Sequence, residues 1–137
     1  MSSPLIQQMM ERHGYPLLDA AGVDEFAAAH EEVVLFFTED PDRFPESNDV
    51  AMILPELVKE YGHRFAAAVI DREAQRPLQA RFGFTEWPTL VFLREGRYLG
   101  HVSRVQNWVD YIVQINAILQ SRPMEKAPGF GIPVVGA

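Results

Sequence analysis

The sequence predicts an α/β fold in which a mixed central β-sheet is flanked by helices, and three observations carry this prediction. Segments with apolar residues at helical spacing alternate along the chain with short runs of β-branched and aromatic residues. One such run, 33–38, is almost continuously apolar, which is typical of a strand buried on both faces. The last two runs are separated only by Glu95 and Gly96, a short turn that predicts an antiparallel hairpin. Strands joined through helices, followed by such a hairpin, form a mixed sheet.

The first half of the chain divides at clear local signals. Apolar residues recur at helical spacing before Gly14, and a second amphipathic pattern ends at Gly62. Pro55 lies inside that second pattern and is expected to kink its helix by removing a backbone donor. The predicted elements are a helix over 4–13, an extended segment over 15–18, a helix over 24–30, a strand over 33–38, a polar loop over 39–48 and a helix over 50–61.

The second half continues the alternation and ends in a tail. Pro77 is expected in the first turn of a short helix, and Trp108 is expected to pack the final helix on the sheet. The predicted elements are a strand over 65–70, a helix over 77–82, strands over 89–93 and 98–102, and a helix over 108–119. From 121 onward, prolines and glycines replace any periodicity. We therefore predict one domain over 1–120 and a C-terminal tail, or tether, over 121–137.

Composition and charge narrow the range of partners. The chain has 137 residues, 47% of them hydrophobic, which suits one globular domain with its own core. Residues 1–60 carry 13 acidic and 3 basic side chains, which argues against nucleic acid and favours a basic peptide as partner. The plainer alternative is that the acids serve solubility. Neither a signal peptide nor a membrane-spanning run is apparent, so we expect a cytoplasmic protein without membrane insertion.

A motif over 82–92 indicates the type of α/β fold. Phe82 and Gly83 lead to Trp87 and Pro88, and an apolar strand follows at once. This order resembles thioredoxins, which place a cis-proline beside a redox-active Cys-x-x-Cys motif. The chain contains no cysteine, so it has no thiolate for disulfide exchange. A thioredoxin-like fold that lacks its sulfurs can hold a polypeptide without reacting with it.

A narrower resemblance rests on the acidic segment that replaces the thioredoxin active-site loop. The motifs are Asp40-Pro41 and Pro45-Glu46 through Asp49, then Phe82-Gly83, Trp87-Pro88 and Gly96-x-Tyr98-x-Gly100. Over residues 5–120 the chain resembles the HyaE/HupG family of hydrogenase expression and formation proteins. This resemblance implies a chaperone in the maturation of uptake [NiFe] hydrogenases. It also implies binding of the small-subunit precursor with its twin-arginine signal peptide, with other hydrogenase accessory proteins as further candidate partners.

The residues allow a binding site to be sketched beside Pro88. In a thioredoxin frame, the residue before the cis-proline exposes its backbone to an extended peptide, and here that residue is Trp87. Facing it, in place of the Cys-x-x-Cys motif, would be Ser47, Asn48, Asp49 and Val50. Acidic side chains that could accept bidentate bonds from paired arginines are Glu39, Asp40, Asp42, Glu46 and Asp49. Glu46 has no evident local role and is the strongest candidate among them.

Each of these residues also has a plainer interpretation. Ser47 or Asp49 could cap the following helix, Asp40 could belong to a turn, and the Trp87 ring could be part of the core. A scaffolding module that contacts another folded protein is the alternative function. We expect no catalysis, cofactor or metal site, because the four histidines are scattered and no catalytic motif occurs.

Overall fold

The computed structural model describes residues 3–124, so most of the predicted tail lies outside the described residues. Helices and strands alternate as the sequence predicts. The helices are α1 (Pro4–His13), α2 (Ala20–Ala29), α3 (Glu46–Glu60), α4 (Arg72–Phe82) and α5 (Trp108–Gln120). The strands are β1 (Leu17–Leu18), β2 (Glu32–Phe37), β3 (Ala66–Ile70), β4 (Thr89–Arg94) and β5 (Arg97–Ser103).

The strands form one mixed sheet in the order β1-β3-β2-β4-β5. β1, β3 and β2 are parallel, with Leu35 of β2 opposite Ala68 of β3. β4 runs antiparallel to β2, and β5 pairs with β4 as the predicted hairpin. Thr89 and Ser103 are paired at one end of that hairpin, and Arg94 and Arg97 are paired at the turn. The predicted mixed sheet is confirmed.

The core has two halves, one on each face of the sheet. All six residues of β2 are buried, because alternate side chains point to opposite faces and both faces are covered. Val34 and Phe36 pack with residues of α1, α3 and α5. Val33, Leu35 and Phe37 pack with residues of α2 and α4. The three-layer arrangement explains why β2 is apolar without alternation.

Three helices begin earlier than predicted, since their first turns are polar or lack apolar periodicity. α2 begins at Ala20, where the Asp19 side chain accepts a 2.7 Å hydrogen bond from the Gly22 N–H. α3 begins at Glu46 after Pro45, so residues 46–49 are its first turn and not part of a loop. α4 begins at Arg72, and Pro77 therefore lies inside the helix and not in its first turn. The free energy gained by burying Leu78 and Phe82 on the sheet outweighs the cost of the helical hydrogen bond that Pro77 removes.

The prediction for Trp108 is wrong. Tyr111, Ile115 and Leu119 form the buried side of α5, whereas Trp108 lies in the first turn and is largely exposed. Among residues 3–124, no helix is long and apolar enough to cross a membrane.

Candidate functional site

A groove of about 460 Å³ opens where the start of α3, the segment before β4 and the residue after β5 meet. We call it the Trp87 groove. It combines apolar walls with two side chains of each charge. Its lining residues are Arg43, Phe44, Pro45, Glu46, Thr85, Glu86, Trp87 and Arg104. These residues belong to the two segments that the sequence singled out, 39–49 and 82–92, joined by Arg104.

The indole of Trp87 forms part of the core beneath the groove. Only 7% of the residue is exposed, and the ring packs against Phe37 and Phe84 at centroid distances of 6.4 and 5.1 Å. The Arg76 guanidinium lies 5.3 Å from the ring centroid, a cation–π contact. The alternative that the Trp87 ring belongs to the core is therefore confirmed. The peptide bond to Pro88 is cis, as predicted.

The backbone of Trp87 differs from that of its neighbours in its hydrogen bonding. The Pro88 carbonyl accepts a 2.7 Å bond from the Arg104 N–H, and the Glu86 carbonyl accepts a 2.6 Å bond from the Thr89 hydroxyl. Within residues 3–124, neither the N–H nor the C=O of Trp87 has a hydrogen-bond partner. This leaves one donor and one acceptor on a segment that lines an open groove.

Glu46 is paired, contrary to the interpretation of a carboxylate without a local role. The Arg104 Nε donates to Glu46 Oε1 at 3.0 Å, the Arg104 Nη2 donates to Oε2, and the Val105 N–H donates to Oε1 at 3.2 Å. The hydrogen bonds from Arg104 and then from Val105 lower the pKa of Glu46. A second carboxylate approaches the same guanidinium, with Glu86 Oε2 at 3.9 Å from Arg104 Nη1. We call Glu46, Glu86 and Arg104 the Glu46 cluster.

Glu39 lies in the segment predicted as a polar loop, but it is buried. Its carboxylate forms ion pairs with Arg76 at 2.8 Å and with Arg72 at 3.3 Å, both on α4. Its backbone N–H donates to Gln75 Oε1 at 2.6 Å. Because α4 starts five residues earlier than predicted, its basic first half reaches this carboxylate and neutralises it.

The remaining acidic candidates separate into partnered and open side chains. Asp40 is half-buried and accepts a 3.0 Å bond from the Asp42 N–H, the turn that the plainer interpretation described. Asp42 and Asp49 are exposed, and their carboxylates have no ion-pair partner among residues 3–124. The five carboxylates therefore do not form one free cluster.

Ser47 holds the first turn of α3 against the sheet, and Asn48 follows it in the same turn. The Ser47 hydroxyl is fully buried and donates a 2.6 Å bond to the Thr38 carbonyl at the end of β2. Asn48 is half-buried, and its Oδ1 atom is buried without a partner among the described residues. The expectation that Ser47 or Asp49 caps the helix is wrong, because Pro45 occupies that position and makes no side-chain cap.

Sequence reasoning missed the role of Arg104 in the groove. None of the motifs identified in the sequence includes Arg104, whose side chain turns back to Glu46. Its backbone has φ 66°, uncommon for a non-glycine residue, and the Tyr111 hydroxyl donates a 3.3 Å bond to its carbonyl. Nothing local in the sequence signals this turn; only the position directly after a strand could have drawn attention to it.

Within the part of the chain that the structure describes, no three His, Asp or Glu side chains are grouped as potential metal ligands. His101, on β5, bonds to the Tyr98 hydroxyl at 2.6 Å, and burial lowers the pKa of this histidine. The groove is lined by carboxylates, by apolar side chains and by a residue whose main-chain groups have no partner among residues 3–124, and these features are used to bind an extended peptide.

Comparison with known proteins gives a consistent result. The family described as Hydrogenase-1 expression protein HyaE matches residues 5–111. The hydrogenase expression/formation protein HoxO of Azotobacter vinelandii is 51% identical over 119 residues, which cover 87% of this chain and 80% of that protein. HupG of Bradyrhizobium diazoefficiens, which carries the same description, is 38% identical over 130 residues, covering 92% of this chain and 87% of that protein.

Solved structures agree with the fold. A crystal structure from Rhodopseudomonas palustris, described as a hydrogenase expression/formation protein HupG, is 44% identical with a TM-score of 0.55. The match covers 76% of this chain and 94% of that one. A mutant thioredoxin from Halobacterium salinarum is 18% identical with a TM-score of 0.62, covering 90% and 99% of the two chains. The predicted thioredoxin-like fold is confirmed.

Proposed function

The chain belongs to the HyaE family of hydrogenase expression proteins, and from this premise we propose that it is a redox-inactive chaperone of [NiFe] uptake hydrogenase maturation. In this proposal it binds the small-subunit precursor in the cytoplasm, through the twin-arginine signal peptide that the precursor carries before export. Other hydrogenase accessory proteins are further candidate partners. The protein holds the peptide without chemical change, so we class it as a binding protein and not as an enzyme.

One observation carries the proposal: Trp87 lines the groove, and its N–H and C=O have no hydrogen-bond partner among residues 3–124. An extended peptide that pairs with both groups would run through the groove as an added strand. Main-chain bonds of this kind supply affinity without selecting a sequence. The indole beneath would hold this segment in place by packing with Phe37 and Phe84.

Selectivity for arginine would come from the carboxylates around the groove. Glu46 and Glu86 line the groove. Asp42 lies just before the lining residues 43–46 and Asp49 just after them, and both are exposed. A carboxylate matches the planar fork of a guanidinium and accepts two parallel hydrogen bonds from it. Glu39, Asp40, Ser47 and Asn48 would act indirectly, by holding this segment and the first turn of α3 in position.

The test is a titration of the protein with small-subunit precursor, with and without its signal peptide, at low and high salt. We expect binding that requires the signal peptide and weakens as salt rises, because the contacts are between charged groups. The double variant Asp49→Asn/Glu86→Gln should bind at least about tenfold more weakly. The control Glu25→Gln/Glu60→Gln removes the same charge from exposed sites away from the groove and should bind normally. Equal weakening by both pairs would overturn the site.

The exposed face of α5 favours a second candidate function, that of a scaffolding module. Trp108, Val109 and Val113 are 42%, 66% and 62% exposed, and Asp110 is the only charged residue of the helix. An uncharged helix face of this kind is typical of protein contact surfaces. In the same titration, binding could be independent of the signal peptide and of salt, and be abolished by Val113→Lys. That result would favour scaffolding over the chaperone function.

A further inference from the structure

We propose that Glu46 and Glu86 form a guanidinium subsite of the Trp87 groove, which Arg104 fills in the free protein and an arginine of the bound peptide takes over. The identity of that peptide rests on the proposed function. The subsite itself rests on the contacts of the protein's own arginine. Arg104 is in this view an internal competitor for the place that the ligand needs.

Arg104 makes the contacts to Glu46 and Glu86 that the guanidinium of a bound ligand would make. Its Nε and Nη2 atoms face the two oxygens of Glu46, a bidentate arrangement that a lysine cannot reproduce. Its Nη1 atom points toward Glu86, 3.9 Å away. The Val105 N–H donates to Oε1 of Glu46 at 3.2 Å. One contact other than those of Arg104 therefore orients this carboxylate before a ligand binds.

The subsite lies beside the proposed peptide-binding edge. The Arg104 N–H donates to the carbonyl of Pro88, the residue next to Trp87. Glu46, Glu86, Trp87 and Arg104 all line the same groove. A peptide that pairs with the backbone of Trp87 can thus place a side chain near Glu46 and Glu86.

The side chain of Arg104 can leave while its backbone stays. The backbone is bound at both ends, by Pro88 and by Tyr111. The side chain is 49% exposed and that of Glu86 is 59% exposed, so water can replace each contact. Exposed ion pairs of this kind contribute little net stability, so exchanging one guanidinium for another requires little free energy.

Arg43 provides a matched control for the loss of charge. Arg43 lines the same groove, and it forms no ion pair among residues 3–124. Its guanidinium lies 5.6 Å from the centroid of the Phe44 ring. Replacing Arg43 removes one positive charge without freeing a carboxylate. Replacing Arg104 removes the same charge and also empties the subsite, so any difference between the two variants reports the subsite.

The first experiment uses N-acetyl-arginine amide as the probe and needs no hydrogenase protein. In Arg104→Gly, the probe should produce saturable NMR shifts of the Val105 amide and the Trp87 indole N–H. Wild type, Arg43→Gly and Arg104→Gly/Glu46→Gln should show no saturable shift. Glycine adopts the positive φ of position 104 without strain, and Arg104→Asn is a second variant that tolerates it. The subsite would be overturned if N-acetyl-lysine amide produced equal shifts, or if N-acetyl-arginine amide produced none in Arg104→Gly and none in Arg104→Asn.

The second experiment measures precursor binding by wild type, Arg104→Gly and Arg43→Gly. We expect Arg104→Gly to bind about three- to tenfold more tightly than Arg43→Gly, and the advantage to vanish when lysines replace the twin arginines. Precursor binding that is equal in both variants leaves the chaperone function standing and overturns the subsite. Arginine-amide binding without precursor binding supports the subsite and overturns the chaperone function.

Discussion

Two of the glutamate–arginine clusters lie at opposite ends of β4, and they differ in the burial of their carboxylates and in the partners of their arginines. In the first, which we call the Glu32 cluster, Glu32 accepts bonds from Arg64 at 2.6 Å and from Arg94 at 2.7 Å. The second is the Glu46 cluster in the groove. The side chain of Glu32 is 7% exposed, whereas that of Glu46 is 34% exposed.

The partners of the arginines explain the difference in role. Arg94 also donates to the carbonyls of Leu119 and Ser121, so the Glu32 cluster joins the sheet to the end of α5. Arg104 ends on Glu46 and Glu86, which line a groove open to solvent. Removing one partner of a buried pair leaves an uncompensated charge and destabilises the fold, while an exposed pair can exchange one partner for a ligand.

The largest effect is expected from Glu32→Gln. This variant leaves Arg94, whose side chain is 19% exposed, and the half-exposed Arg64 without their counter-charge, and we expect the free energy of unfolding to fall by about 2–3 kcal/mol. Urea denaturation measures the change. Glu31→Gln, an exposed neighbour, is the control and should change stability by less than about 0.5 kcal/mol. Similar values for both variants would mean that the Glu32 cluster does not hold the structure.

The decrease of stability at acid pH should show the same contrast between Glu32 and Glu46. Burial raises the pKa of Glu32, but the hydrogen bonds from Arg64 and Arg94 together lower it by more. The resulting pKa therefore lies below the ordinary value of 4.5. A carboxyl whose pKa is lower in the folded state stabilises the fold above its unfolded pKa, and this stabilisation is lost as the pH falls through the folded pKa.

Unfolding measured from pH 7 to pH 3 should therefore show wild type losing its advantage over Glu32→Gln below about pH 4.5. The advantage over Glu46→Gln should be smaller at pH 7, because Glu46 is partly exposed and screened. An advantage of Glu32 that stays constant down to pH 3 would contradict the assignment of its ion pairs.

The smallest effect is expected from the Glu46 cluster itself. We predict that Glu46→Gln lowers the free energy of unfolding by about 1 kcal/mol or less, with only a weak coupling to Arg104→Gly. The corresponding coupling between Glu32→Gln and Arg94→Met should exceed about 1 kcal/mol. Double-mutant cycles in urea measure both. Equal couplings at the two sites would remove the distinction between a structural and an exchangeable pair.

The elements that sequence reasoning placed best are those whose own residues decide their structure. The predicted strand over 33–38 is observed as Glu32–Phe37, and the predicted hairpin turn at Glu95 and Gly96 is observed with positive φ at both residues. The predicted starts of α3 and α4 lie four and five residues after the observed ones. Their first turns carry little apolar periodicity, and contacts such as Ser47 to Thr38 hold them from elsewhere in the chain.

The sequence by itself determined the α/β alternation, the mixed sheet, the absence of thiol chemistry and the segment around Trp87 and Pro88, because each depends on residue type and short-range spacing. The tertiary structure alone decided which carboxylates are free. Glu46 meets Arg104 across 58 residues and Glu32 meets Arg94 across 62, and no local pattern encodes such pairings. Charge is a property of each side chain, but its neutralisation depends on which distant side chains the fold brings within hydrogen-bonding distance.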